Sequence, residues 1–193
     1  KILSAAEEVF IERGMDGARM QTIADRAGIN KSLLHYYYRS KSKLFQFVFK
    51  RVALTFIPDI VKIFDSPNLE FFDKLRKIVF FYIELIQSKP QIPNFILHEL
   101  SSNPEGLAEF AASLHVNIDP VYATIEKEIK AGRIREIDPA QLIVNVISLS
   151  VFPLAAKPII KKVLMKDDEE AYNNMIEKRK SEVAEFVINA IKI

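Results

Sequence analysis

Residues 19–43 read RMQTIADRAGINKSLLHYYYRSKSK. Met20, Ile23, Ala24 and Ala27 recur at i, i+3, i+4 and i+7, the spacing of a short helix with a narrow apolar stripe. Gly28 follows the last periodic residue, where a left-handed glycine closes a helix without a Cβ penalty. Asn30 is a good N-cap for the next helix, Lys31 to Tyr38, and Ile29 and Leu34 occupy the two positions of a hydrophobic staple. Leu34 and Tyr38 share one face, which leaves Lys31, Ser32, Leu33, His35, Tyr36 and Tyr37 on the outer faces. Ser40 caps a third helix whose first turn carries Lys41 and Lys43, the sign of charge that a helix N-terminus disfavours. An anion docking there would reconcile the two, since first-turn N–H groups and lysines together suit a phosphate. Two short helices, a tight turn and concentrated positive charge make this stretch a helix-turn-helix.

Working outward, ILSAAEEVFIERG (residues 2–14) places Ile2, Leu3, Ala6, Val9 and Phe10 on one side of a helix that Gly14 ends. With this helix, the stretch resembles the DNA-binding domain of the TetR family of transcriptional repressors. The matching residues are Phe10, Gly14, Ile23-Ala24, Ala27-Gly28-Ile29, Lys31-Ser32-Leu33-Leu34, Tyr36 and Lys41 to Leu44, about a quarter of the chain. Departures are Ala18 and Arg19 where the family commonly has threonines, His35 for tyrosine, Tyr37 for histidine and Tyr38 for phenylalanine. The resemblance implies double-stranded operator DNA as a partner. Arg19 and Lys41 then hold phosphates, while Gln21, Lys31, Ser32, Leu33, His35, Tyr36 and Tyr37 meet base edges or adjacent backbone.

Charge is distributed accordingly. The 193 residues carry a net +2, yet residues 1–51 alone carry +5, leaving −3 for the rest. No acidic residue occurs between Asp25 and Asp59. Such asymmetry is the footprint of a module that faces nucleic acid. Cysteine is absent, which excludes disulfides and thiolate metal sites and suits a reducing cytoplasm. The longest uncharged apolar run, LIVNVISLSVFPLAA (142–156), is shorter than the roughly 20 residues of a membrane span, so no membrane partner is expected.

Beyond Lys41 a helix runs to Pro58, where a kink or early end is predicted. Further helices are predicted at 69–88, 95–100, from Asn103-Pro104-Glu105, at 121–131, at 140–156 and at 168–192. The fold class is all-α: a helix-turn-helix domain, residues 1–46, joined by a continuous helix to a larger helical domain, residues 47–193. The helix from Ala140 is apolar nearly all round, which predicts burial on more than one side. The resemblance implies that the last two long helices pair with those of a second copy, and Val183 and Val187 are the expected interface residues of a homodimer.

Aromatic residues crowd the central helices. At helical spacing they suit a core, and with a few polar residues among them they suit a small-molecule pocket. The resemblance favours an enclosed effector, small and mainly apolar, lined by Phe80, Tyr82, Phe95, His98, Tyr122, Asn145 and Phe152. An enzyme is not indicated. His98-Glu99 begins a zinc-protease motif, but Ser102 stands where the second histidine belongs, and neither a phosphate-binding GxxxxGK[ST] loop nor GxSxG is present. No metal or cofactor is expected. The competing reading is a helical protein-interaction module whose basic end is incidental.

Overall fold

Why the two short helices of residues 19–43 end where they do is visible in their caps. In the computed structural model, Gly28 sits at φ 67° and ψ 40°, its N–H turned back to the carbonyls of Ala24 and Asp25. Asn30 Oδ1 accepts from the Leu33 amide at 2.7 Å, and Ser40 Oγ accepts from the Lys43 amide at 3.2 Å. The helices are α1 (Ile2–Gly17), α2 (Met20–Ala27), α3 (Lys31–Tyr38), α4 (Lys41–Asp65), α5 (Phe71–Ser88), α6 (Ile92–Ser102), α7 (Pro104–Ser113), α8 (Asp119–Lys130), α9 (Pro139–Ala155), α10 (Lys157–Val163) and α11 (Glu169–Ile191). The structure describes the backbone of all residues except Gln91 and Asn103. It describes all side chains except those two and Ala53, Thr55, Phe56, Asn94, Phe95, His98, Glu99 and Ser102. Among the described residues no strand occurs, and an antiparallel bridge links Ile134 to Lys192. The class is all-α.

Two compact units divide the chain, residues 1–58 with 91–116, and residues 59–90 with 117–193. In the first, Val9, Phe10, Ile23, Leu34, Leu44 and Val48 form a core with almost no solvent exposure. Each large side chain so buried contributes about 1.5–3 kcal/mol. The Phe10 and Phe45 rings meet edge to face at 5.1 Å, tying α1 to α4. Ile29 packs against the same cluster, as the staple requires. Gly14 does not stop α1 but breaks it: at φ 65° and ψ 176° it takes a conformation open essentially to glycine alone, and the helix resumes to Gly17.

The second unit is organised by α5, α9 and α11, whose inward residues include Leu75, Val79, Ile83, Leu142, Val146, Tyr172, Ile176, Val183 and Val187. Asp138 and Asp168 cap α9 and α11 through bonds to the amides of Ala140 and Ala171. The buried Lys74 ammonium donates to the Phe64 carbonyl at 2.5 Å, serving the C-terminal end of α4, where positive charge is favoured. The buried Glu128 carboxylate accepts from Nε and Nη2 of the Arg133 guanidinium at 2.5 and 2.7 Å across the turn that follows α8.

Several expectations are corrected. α4 does not end at Pro58 but continues to Asp65, one amide donor short. The helix predicted at 95–100 begins at Ile92, and Pro93 lies in its first turn, where a missing N–H costs little. α10 is an additional helix. The predicted cap Asn103 lies outside the described residues. α9 is buried on one side only within the chain, through Leu142, Val146, Ser150 and Pro153, while Val144, Ile147 and Phe152 are exposed. No single helix among the described residues is long and apolar enough to cross a membrane; α9 and α10 together reach that length and composition but are bent by 69° at the break between them.

Candidate nucleic-acid interface

Two cations of the first unit are paired with acidic residues of α1. Arg26 makes a fork with Glu12 at 2.7 and 2.9 Å and approaches Glu8 at 3.7 Å, and Arg51 lies 3.9 Å from Glu7. The acidic residues of α1 therefore neutralise these two, and the hydrogen bond from Arg26 holds the Glu12 carboxyl below its ordinary value. Arg19, Lys31, Arg39 and Lys43 are exposed and have no ion-pair partner among the described residues. They flank α2 and α3, the segment without an acidic residue after Asp25.

Around them, Ser32, Leu33, His35, Tyr36 and Tyr37 are all exposed, Tyr36 by 69% and Tyr37 by 60%. The two tyrosine rings meet edge to face at 5.4 Å. Tyr38 turns the other way, against Phe47 at 5.5 Å and the core. A face with large exposed aromatics beside unpaired cations offers both stacking surfaces and donors to an anionic polymer. Gln21 lies on α2 with its amide bonded to Asp25 Oδ1 at 2.7 Å, so it reaches a partner only by giving up that bond. Arg19 precedes α2 in extended conformation and makes no side-chain bond to cap it, and its exposed guanidinium has no ion-pair partner among the described residues.

Lys41 differs from its expected place. Its ammonium donates to the carbonyls of Asp16 and Ala18, both at 3.2 Å, and is half-buried. The long side chain turns back to satisfy orphan carbonyls at the C-terminal end of α1, which takes two of its three N–H donors. Arg39, within the basic RSKSK run, is exposed at the end of α3.

Of the seven expected effector residues, five have described side chains, and three of these, Phe80, Asn145 and Phe152, lie on outward faces of α5 and α9. Phe80 lies on the outer side of α5, half-exposed, with the Lys180 ammonium 5.6 Å from its ring centre. Asn145 is exposed and Phe152 is 65% exposed, because the helical turn that sends Leu142, Val146 and Pro153 inward carries them away from the core. Tyr82 and Tyr122 are half-buried, and burial raises the Tyr82 phenol above its ordinary pKa. The side chains of Phe95 and His98 lie outside the described residues. Val183 and Val187, expected at a dimer interface, are each 4% exposed and belong to the core of the second unit. The outward apolar residue between them is Phe186, 66% exposed. No cluster of three potential metal ligands occurs among the described residues.

The model of bacterial regulatory proteins of the tetR family matches residues 2–48. The HTH-type transcriptional regulator RutR of Escherichia coli K12 is 29% identical over 143 residues, covering 74% of this chain, and the chain spans 66% of the length of RutR. The HTH-type transcriptional activator FasR of Mycolicibacterium smegmatis is 26% identical over 164 residues, 83% of this chain and 74% of FasR. Among solved structures, the transcriptional regulator FadR of Bacillus subtilis, in complex with stearoyl-CoA, superposes with a TM-score of 0.73 at 18% identity, covering 97% of this chain and 96% of that one.

Proposed function

We propose that the chain, whose residues 2–48 match the model of the tetR family of bacterial regulatory proteins, is a sequence-specific DNA-binding regulator that acts as a homodimer in the cytoplasm. It represses from a palindromic operator and lets go when a small, mainly apolar effector binds its helical domain. The division of labour runs close to residue 46, with DNA held by residues 1–46 and the effector and the second copy by residues 47–193.

The observation that carries the DNA-binding reading is the exposed set Arg19, Lys31, Arg39 and Lys43, without ion-pair partners among the described residues around a capped helix pair whose Arg26 is neutralised by α1. In a helix-turn-helix the second helix, here α3, enters the major groove while flanking donors grip phosphate. Arg19, Lys43 and Arg39 take the phosphate role. Lys31, Ser32, Leu33, His35, Tyr36 and Tyr37 face the groove, joined by Gln21 when it releases Asp25. Lys41 supports this arrangement from behind. The contest with a protein-interaction module is decided by duplex binding at two salt concentrations. Specific binding that weakens steeply with salt supports a regulator, and the loss of a single phosphate contact flattens the logarithmic slope by about 0.9.

Dimerisation is supported by the apolar residues that α9 and α11 leave uncovered, Val144, Ile147, Phe152 and Phe186. A second copy would cover them. Two copies of α3 then stand about 34–36 Å apart, or a multiple of a DNA turn, and the operator is an inverted repeat. For the effector, Tyr82 and Tyr122 are the partly buried candidates of the second unit, and stearoyl-CoA in FadR is a precedent for an acyl ligand in this fold. The effector must favour the DNA-incompetent arrangement, since equal affinity for both states shifts nothing. α4 is the transmitter. Calorimetry of a ligand found by screening, with and without operator, tests the switch: reciprocity demands that each weaken the other by the same factor.

A further inference from the structure

At the end of α3, His35 and Arg39 hold each other by two bonds. The Arg39 amide donates to the His35 carbonyl at 2.9 Å, and the His35 ring nitrogen Nδ1 lies 3.3 Å from the Arg39 carbonyl oxygen. Arg39 closes this loop at φ 59° and ψ −46°, a positive-φ conformation uncommon for a residue with a side chain. A carbonyl oxygen has lone pairs and no proton to give. The second contact is therefore a hydrogen bond only when Nδ1 carries the proton, and the neutral imidazole is held in the tautomer with a bare lone pair at Nε2. No group among the described residues donates to Nε2, and the ring is exposed on α3, one turn beyond Lys31 and Ser32.

We propose that His35 is a specificity-determining residue whose Nε2 accepts a hydrogen bond from an exocyclic amino group in the major groove, adenine N6 or cytosine N4. This rests on the DNA-binding reading above. The chemistry of the groove makes the choice. Guanine presents N7 and O6 and thymine presents O4, all acceptors, so each would set a lone pair against the lone pair of Nε2. Phosphate oxygens are acceptors too, so the locked ring does not serve as a backbone clamp. The exposed cations near it, Lys31 and Arg39, are pure donors. His35 thus adds an acceptor to a face whose charged groups can only give hydrogen bonds.

The test begins with duplexes selected from a random pool by the wild-type protein, followed by affinities for single-position variants of the selected site with wild type and His35→Ala. One position in each half-site should lose its preference in the variant, by roughly 5- to 150-fold. At that position, replacing adenine by purine, or cytosine by 2-pyrimidinone, deletes only the amino group. It should cost the wild type a similar factor and cost His35→Ala nothing, while His35→Gln, whose amide oxygen accepts, should recover part of the preference. Three results overturn the proposal: unchanged preferences at every position in His35→Ala; an affected position sensitive to removal of purine N7 instead of the amino group; or a ring proton found on Nε2 by nitrogen NMR of the free protein. Each leaves the regulator reading standing. Failure of the wild type to enrich any duplex would overturn both.

Discussion

The guanidinium of Arg179 on α11 donates through Nη2 to the carbonyl of Leu149 on α9 at 2.7 Å. Four residues along α9, Pro153 has no amide to give that carbonyl, so α11 supplies the bond that α9 lacks. Tyr172 adds a second tie, its hydroxyl donating to the Pro153 carbonyl at 3.1 Å. Part of the Arg179 guanidinium is buried without a partner at Nε among the described residues, and desolvation lowers its pKa.

Arg179→Met should strand the Leu149 carbonyl and destabilise the fold by about 1–3 kcal/mol in denaturant unfolding. Pro153→Ala restores an amide to α9. The two substitutions should therefore cost less together than the sum of their separate costs. Simple additivity would show that the bond does not compensate for the proline.

Lys41→Ala and Lys43→Ala should fail in different ways. The first removes the donor to the Asp16 and Ala18 carbonyls and should lower stability by about 1 kcal/mol, allowing for partial exposure. The second should leave stability unchanged and flatten the salt dependence of DNA binding. Thermal melts and salt titrations of both variants would reverse the assignment if Lys43→Ala were the less stable protein.

An aspartate at Val183 should unfold the chain, since a buried unpaired charge costs several kcal/mol. Phe186→Asp, three residues along and exposed, should leave a folded chain that sediments as a monomer and loses operator affinity. Circular dichroism and sedimentation separate these outcomes, and a folded dimeric Phe186→Asp would place the interface elsewhere.

Acid should weaken the second unit through Glu128. The hydrogen bonds from Arg133 hold its carboxyl below the ordinary 4.5, so the folded chain takes up this proton less readily than the unfolded one. The stabilisation is complete above 4.5 and is lost as pH falls through the depressed folded value. Glu128→Gln should reduce the dependence of unfolding free energy on pH in that acid range while lowering stability at neutral pH. An acid limb as steep as that of the wild type would assign it to other carboxylates.

What could be read without coordinates was whatever local chemistry decides. Gly28, Asn30 and Ser40 cap their helices as their side chains dictate, and the Lys31–Tyr38 helix has the boundaries its caps predict. Other features depend on where a face or a flexible chain finally goes. α11 carries apolar residues on two sides, and periodicity alone does not tell which side meets its own chain, so Val183 and Val187 were assigned outward while Phe186 takes that place. Lys41 displays a charge in the sequence, but the destination of its amine, a pair of carbonyls more than twenty residues away in the chain, is a tertiary fact. α10 is seven residues long and begins beside Pro158, too short for a periodic signal.

The unpaired cations around α3 also bear on how the protein finds its site. On the proposed reading they attract any duplex, operator or not, because phosphates carry no sequence. A chromosome offers such duplex in vast excess, so the regulator's usual state is loosely held and sliding, and its search runs along DNA as well as through solvent. An effector would then meet most copies already on the chromosome, and releasing the operator returns the protein to neighbouring DNA, where rebinding competes with diffusion away.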